Sequence, residues 1–243
     1  MSLETDLLKR MEYEPAKLLS YGFVKEKDHY HYEKILAVDE MKAVFHVDGK
    51  GVLTGKVIDP FSNDEYIAIH LQHQKGVYVS SVRKEYLAVL SDIVKHCYHK
   101  VPFIFHQTNR INELIIKKYR ISCEFPFSKY PHIGAYYHPT NQKWFGLIQC
   151  LDRSTFLAEK GECEILNLKV NGDEIQPLLE KDGFFGGYHM SKKSWISILL
   201  DDTVPDDIIL KYVEESYQLT VGGMTRRGRK EWIIPANPSY FDL

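Results

Sequence analysis

The fold is decided by the stretch Gly187-Tyr188-His189-Met190-Ser191-Lys192-Lys193-Ser194-Trp195. We expect a loop that ends where Trp195 opens a strand. Lys192 and Lys193 follow the rings of Tyr188 and His189, and cations beside aromatic rings suit a phosphate backbone with stacked bases. In an alternative interpretation, Tyr188 and Trp195 pack under the last helix while both lysines are solvated. The residues alone leave both interpretations open.

Three further segments extend this pattern along the chain. They are Leu166-Asn167-Leu168-Lys169, Asp201…Pro205-Asp206 and Glu215-Ser216-Tyr217-Gln218-Leu219. Together with residues 187–195 they resemble the signature of the MmcQ/YjbR family, small bacterial proteins with a frataxin-like (CyaY-like) fold that are often labelled DNA-binding. The resemblance covers roughly residues 103–221. It implies an α+β domain with a small antiparallel sheet, and a role on DNA.

The chain departs from that family pattern at three positions. The pattern tends to carry Pro-Gly before the Tyr, Asn after the Met and His before the Trp. This chain has Gly186, Ser191 and Ser194 there. The missing His and Asn weaken any polar site in this segment, so the implied role does not transfer as a whole.

The overall charge does not favour a dedicated nucleic-acid binder. The 243 residues carry a formal net charge of −2, and each half of the chain has one more acidic than basic residue. Phosphate contacts supply much of the affinity for nucleic acid, so such proteins usually have a strongly basic balance. Any binding must therefore depend on local clusters.

Local basic clusters are found in three places. Lys169 alternates with Leu168 on a strand, so it either joins a cationic surface or is an ordinary solvent-facing residue. The tail from Thr225 to Lys230 either clamps phosphates or docks back through Trp232. The candidate nucleic-acid-binding residues are Lys169, Tyr188, His189, Lys192, Lys193, Trp195, Arg226, Arg227, Arg229 and Lys230.

Motifs for catalysis or metal binding are missing from the sequence. We find no Gly-rich phosphate loop, no nucleophile elbow and no HExxH, so we expect no enzymatic activity and no cofactor. His29, His31 and Glu33 lie in line on one strand face and could hold a metal, but no further ligand stands at a recognisable spacing. Surface residues are therefore the favoured interpretation. The four cysteines are scattered, as is typical of reduced thiols: Cys97, Cys123, Cys150 and Cys163.

The chain is predicted to form two α+β domains that meet at Lys100-Val101-Pro102, namely residues 1–102 and 103–243. The first resembles the extra N-terminal domain of some two-domain Firmicute members of the family, to which no activity is attached. Its predicted helices cover residues 6–21, with Pro15 interrupting or kinking the helix, and residues 82–98. Its predicted strands cover residues 30–36, 41–47, 52–58 and 66–71, with the turn Asp48-Gly49-Lys50-Gly51 between two of them.

The second predicted domain has three helices and four strands. The helices run from about Thr108 to Tyr119, from 173 to 180, and onward from a capping Thr203 with Asp206 three residues later. The strands cover residues 133–137, 144–149, 164–170 and 195–200.

The expected partner is DNA, bound weakly and without sequence preference by a non-enzymatic accessory protein. The alternative is an adaptor that recognises a protein or a small ligand through aromatic-rich sheet surfaces. The N-terminus is acidic, and no apolar run is long enough to span a bilayer. We therefore expect a cytoplasmic protein without a membrane partner.

Overall fold

The computed structural model describes residues 3–71 and 73–221. The chain divides into two compact units, one ending at Pro102 and the other beginning at Phe103. Both units combine helices with small antiparallel sheets, which confirms the predicted α+β class. Among the helices of the described residues, none is both long and apolar enough to cross a membrane.

The first unit consists of three helices, a four-stranded sheet and a two-stranded sheet. The helices are α1 (Leu3–Leu8), α2 (Pro15–Tyr21) and α3 (Val77–Cys97). The strands are β1 (Met11–Tyr13), β2 (Val24–Glu26), β3 (His29–Ile35), β4 (Lys42–Val47), β5 (Leu53–Ile58) and β6 (Tyr98–Lys100). The larger sheet has the order β2-β3-β4-β5, and β1 pairs with β6.

Strand alternation gives the larger sheet two different faces. Tyr30, Phe45 and Val47 belong to the buried core shared with α3. The opposite face carries His29, His31, Glu33 and His46, and we call it the histidine face. None of these four side chains is buried.

The predicted helix over residues 6–21 is wrong, because β1 interrupts it. Arg10 adopts a left-handed backbone with φ 61°, and the chain then extends as β1, with Met11 opposite Lys100. Pro15 stands at the first turn of α2, where its missing N–H has no helical acceptor to satisfy. The same pairing with β1 ends α3 at Cys97.

The predicted strand over residues 66–71 is wrong as well. Ile67–His70 forms a 3₁₀ turn instead. The guanidinium of Arg83, on α3, donates to the carbonyl oxygens of Ala68, Ile69 and Leu71 at 3.0, 2.7 and 2.9 Å. These carbonyls find their partner in a side chain, so the segment needs no neighbouring strand.

The second unit packs three helices against a five-stranded sheet. The helices are α4 (His106–Tyr119), α5 (Ile175–Leu179) and α6 (Asp206–Val221). The strands are β7 (Gly134–Tyr137), β8 (Trp144–Asp152), β9 (Glu162–Lys169), β10 (Phe184–Gly186) and β11 (Trp195–Leu199). Their order in the sheet is β10-β11-β9-β8-β7.

The start of α6 differs from the predicted capping box. The helix begins at Asp206, and the backbone N–H of Thr203 donates to the carboxylate of Asp201 at 3.1 Å. The carboxylate of Asp206 accepts from Gln107 at 2.9 Å and from Arg110 at 3.0 Å, both on α4. The acidic group at this helix start therefore ties α6 to α4.

Both faces of the second sheet are packed. Leu166, Leu168, Ile196 and Ile198 face the helices. On the other face, Phe127 and Tyr130 pack at the β7–β8 side, and Phe156 and Tyr188 pack against Ile165 and Leu199. We call this the covered face; its members are Leu147, Gln149, Ile165, Asn167, Lys169, Trp195, Ser197 and Leu199.

Candidate nucleic-acid interface

The loop of residues 187–194 joins β10, the edge strand, to β11. Two backbone hydrogen bonds, each between residues three apart, fold it into consecutive turns. They run from Met190 N–H to the Gly187 carbonyl at 3.3 Å and from Ser194 N–H to the Ser191 carbonyl at 3.1 Å. His189 adopts a left-handed backbone with φ 53°, which turns the chain between them. The sequence prediction of a loop here is confirmed.

Gly187 anchors the start of the loop where a side chain has no room. A Cβ atom at this position would lie 2.8 Å from Cβ of Trp195 and 3.0 Å from its carbonyl oxygen. The next residue, Tyr188, is held through its backbone N–H, which donates to the Ser197 hydroxyl at 2.8 Å. The loop therefore leaves the sheet in a defined direction.

Four of the predicted residues lie together in this loop. Lys192, Lys193 and His189 are exposed, and Tyr188 is half-buried. The ring centroids of Tyr188 and His189 are 4.0 Å apart, while Tyr188 also contacts Phe156. Burial raises the pKa of Tyr188. The loop thus exposes two ammonium groups beside one exposed and one half-buried ring.

Lys169 and Trp195 form a separate pair on the covered face. They are directly opposite each other in β9 and β11, and the Lys169 ammonium lies 5.5 Å from the Trp195 ring centroid. Trp195 is only 8% exposed. Burial, followed by the nearby charge of Lys143, lowers the pKa of Lys169. Lys169 is therefore half-buried, unlike a solvent-facing strand residue.

Lys192 leaves the loop on the other side of the sheet. Its side-chain methylenes lie about 4 Å from the position that a Cβ of Gly186 would occupy. Gly186 pairs with Ile196, which faces the helices. The side chains of Lys192 and Lys169 thus follow opposite faces of the sheet, and they do not form one continuous cationic surface.

A chain of buried polar groups crosses the covered face beneath the loop. The Asn167 amide donates to Gln149 at 2.7 Å, and the Ser197 hydroxyl donates to Asn167 at 2.6 Å. Ser197 in turn accepts from the backbone of Tyr188. We call Gln149, Asn167 and Ser197 the polar ladder. Sequence reasoning missed it, because nothing in the alternation around Asn167 reveals which residues stand opposite.

The tail residues Arg226, Arg227, Arg229 and Lys230 lie outside the described residues. Their predicted part in binding therefore stays a prediction.

Comparisons with known proteins find relatives of the second unit. The YjbR family model matches residues 116–219. The chain is 39% identical over 105 residues to the uncharacterized protein YyaQ of Bacillus subtilis (strain 168), and the match covers 43% of this chain and 89% of that protein. The chain belongs to the YjbR family. The predicted likeness of the first unit to other two-domain YjbR proteins stays a prediction.

Two solved structures from Pseudomonas syringae are similar to this YjbR protein. The crystal structure is 28% identical, covers 46% of this chain and 96% of that chain, and has a TM-score of 0.45. The solution NMR structure is 27% identical, covers 46% of this chain and 91% of that chain, and has a TM-score of 0.43.

The positions where this YjbR chain departs from the expected pattern lie in β10 and in the loop. Gly186 ends β10, and the Lys192 side chain passes close to it. Ser191 and Ser194 close the second turn of the loop through their backbones, and the Ser194 carbonyl accepts from Val170 N–H at 3.2 Å. Their small side chains leave Lys192 and Lys193 as the charged groups of the loop.

Proposed function

We propose that the 187–194 loop of this YjbR protein contacts the phosphates of nucleic acid, weakly and without sequence preference. The observation that carries the proposal is the exposure of Lys192 and Lys193 at a sheet edge, beside the paired rings of Tyr188 and His189. An edge loop of this kind can approach a duplex without a rearrangement of the core. Point-charge contacts to phosphates position a protein but carry no sequence information.

The affinity is expected to be low for two reasons. The protein has a net charge of −2, so only the local field of the two lysines attracts phosphates. Trp195 is 8% exposed and Lys169 is half-buried on the opposite face, so neither adds a stacking platform or a contact near Lys192. His189 is the ring best placed for stacking on an unpaired base.

The experiment measures binding to duplex DNA at several salt concentrations. Replacing Lys192 and Lys193 by Ala removes about two phosphate contacts, so the slope of log affinity against log salt should fall by about 1.8. The matched control is the double variant K117A/K181A, which changes two other exposed lysines of the same unit. Lys181 precedes β10 at the end away from the loop, and the control should keep the wild-type slope.

The two possible failures have different meanings. An unchanged slope in folded K192A/K193A, with measurable wild-type binding, would show that the loop is not the contact surface. No wild-type binding at low salt would overturn the nucleic-acid proposal itself. That result would favour the adaptor hypothesis, in which sheet surfaces recognise a protein or small ligand.

A further inference from the structure

The histidine face of the first unit brings together side chains that are far apart in the sequence. His31 on β3 and His46 on β4 are directly opposite each other. Their Nδ1 atoms are 3.5 Å apart, and their ring centroids are 4.8 Å apart. The sequence shows His29 and His31 on one strand, but not that His46 stands across from them.

A carboxylate lies beside the His31 ring. Its Nε2 atom is 3.3 Å from Oε1 of Glu33, an ion-pair distance, and the Lys42 ammonium is 3.3 Å from the same oxygen. The other ring nitrogen of His31, Nδ1, faces Nδ1 of His46. The same arrangement of carboxylate, imidazole and metal is common around protein metal ions, because the carboxylate makes the ligand more basic.

His46 is half-buried, like His31. Its partner on β5 is Thr54, which brings no charge. A neutral imidazole is the form that binds a metal ion. In the metal-free protein, a proton on His46 Nδ1 can be shared with His31, and moving it to Nε2 frees the second lone pair.

The distance between the two nitrogens fits a metal ion. Zinc–imidazole bonds are about 2.0–2.1 Å long, so two nitrogens 3.5 Å apart subtend an angle of about 115° at a shared ion, close to tetrahedral. We infer that His31 and His46 form a two-imidazole site for a zinc ion on the histidine face. The carboxylate of Glu33 supports it from beside the outer nitrogen of His31.

Water completes the coordination of this site. Among residues 3–71 and 73–221, no three His, Cys, Asp or Glu side chains are placed to hold a metal together. His31 and Glu33 remain 24% and 44% exposed, so an ion can reach the pair with part of its hydration shell. The nearby His29 is not a ligand, because its ring centroid is 6.0 Å from that of His46. Two protein ligands make the site reversible, with a low affinity.

The test uses the full chain without a purification tag, freed of metal by a chelator. Zinc chloride is titrated calorimetrically at pH 7.5, and one ion per chain is expected. His31→Asn and His46→Asn should each weaken binding at least about tenfold. Glu33→Gln, which keeps both ligands, should weaken it about 10-fold through the lost carboxylate. His29→Asn is the matched control and should bind zinc as the wild type does.

A second measurement needs no variant. The ring ¹⁵N signals of His31 and His46 should report zinc-bound Nδ1 and protonated Nε2 atoms, while the signals of His29 stay unchanged. The inference is overturned if His46→Asn binds zinc like the wild type, or if His29→Asn removes binding. It is also overturned if the wild-type ¹⁵N signals of His31 and His46 do not respond to zinc at millimolar concentration.

Discussion

The two larger sheets of this YjbR protein differ in how far the histidine face and the covered face are exposed to water. The four-stranded sheet leaves the histidine face partly open to water, and its charged groups form ion pairs such as Lys42 with Glu33 at 3.3 Å. The five-stranded sheet buries its covered face, where Asn167 is 0% exposed and bonds only to other protein groups through the polar ladder. The difference is one of solvent access.

Solvent access decides how much free energy is lost when a polar group on each face loses its partner. Water can replace a partner that is lost on the histidine face, so the loss of one contact there costs little. On the covered face, a lost partner leaves a buried polar atom without a hydrogen bond, at a cost of about 1–3 kcal/mol for each group. Side chains on the histidine face can therefore exchange partners with solvent, whereas those on the covered face hold the 187–194 loop in place.

The largest test of this comparison is Asn167→Ala. It leaves the Gln149 carbonyl oxygen and the Ser197 hydroxyl without their partner, so the free energy of unfolding of the second unit should fall by about 3 kcal/mol. Urea unfolding followed by the fluorescence of Trp144 and Trp195 reports on that unit. Thr54→Ala, at an exposed position beside the histidine face, is the control. Because residues 1–102 contain no tryptophan, its unfolding is followed by circular dichroism, and stability should change by less than about 0.5 kcal/mol. Equal effects would remove the distinction between the faces.

Gly187→Ala should have the next largest effect. The added Cβ would lie 2.8 Å from Cβ of Trp195, and overpacking of this kind typically costs about 1–3 kcal/mol. We expect about 1–2 kcal/mol in the same urea experiment, because the loop can move slightly away. Gly76→Ala is the control, since nothing lies within 4 Å of its added Cβ. It lies in the first unit, so its unfolding is followed by circular dichroism. A neutral Gly187→Ala would mean that the loop is not held rigidly by the covered face.

Glu214, on α6, is expected to make the stability of the second unit depend on pH in the acid range. Hydrogen bonds from Gln218, Lys118 and Tyr119 lower the pKa of Glu214 to about 2. The folded pKa is below the unfolded one, so this stability is present above about pH 4.5 and is lost as the pH falls toward 2. Glu214 is 40% exposed, so Glu214→Gln should cost only about 1 kcal/mol at pH 7. Unfolding curves of both proteins should converge near pH 2; a gap that persists there would exclude the charge as its cause.

The smallest effect is expected at His46, in a different pH range. Its folded pKa is lowered, first by burial, so the folded first unit resists protonation. Its contribution is therefore present above the ordinary histidine pKa near 6.5 and is lost as the pH falls below it. His46→Asn should flatten this dependence by less than about 0.5 kcal/mol, measured by circular dichroism with a chelator present. A steeper dependence in the variant would contradict the assigned direction.

Sequence patterns predicted most of the regular elements. The alternation in residues 41–47 and 52–58 and the turn Asp48-Gly49-Lys50-Gly51 correspond to β4, β5 and their connection. These predictions succeeded because alternation and turn residues act locally. The predicted strand over residues 66–71 failed because a distant side chain, Arg83, binds the carbonyls of that segment.

The candidate sites were predictable only in part. The loop with Lys192 and Lys193 was predictable, because it follows glycines and because its residues are adjacent in the sequence. The separation of Lys169 from Lys192 could not, because it depends on which face of the sheet each side chain follows. Alternation along one strand shows which residues share a face of the sheet, but not which residues of the next strand lie opposite them.

The sequence by itself determined the family of the second unit, the α+β class and the position of the exposed lysine loop. Only the tertiary structure decided that His46 faces His31, that Asn167 bridges Gln149 and Ser197, and that Trp195 is buried under Lys169. The physical reason is register. The pairing of strands from distant parts of the chain is set by the packing of the whole core, and each cross-strand contact depends on it.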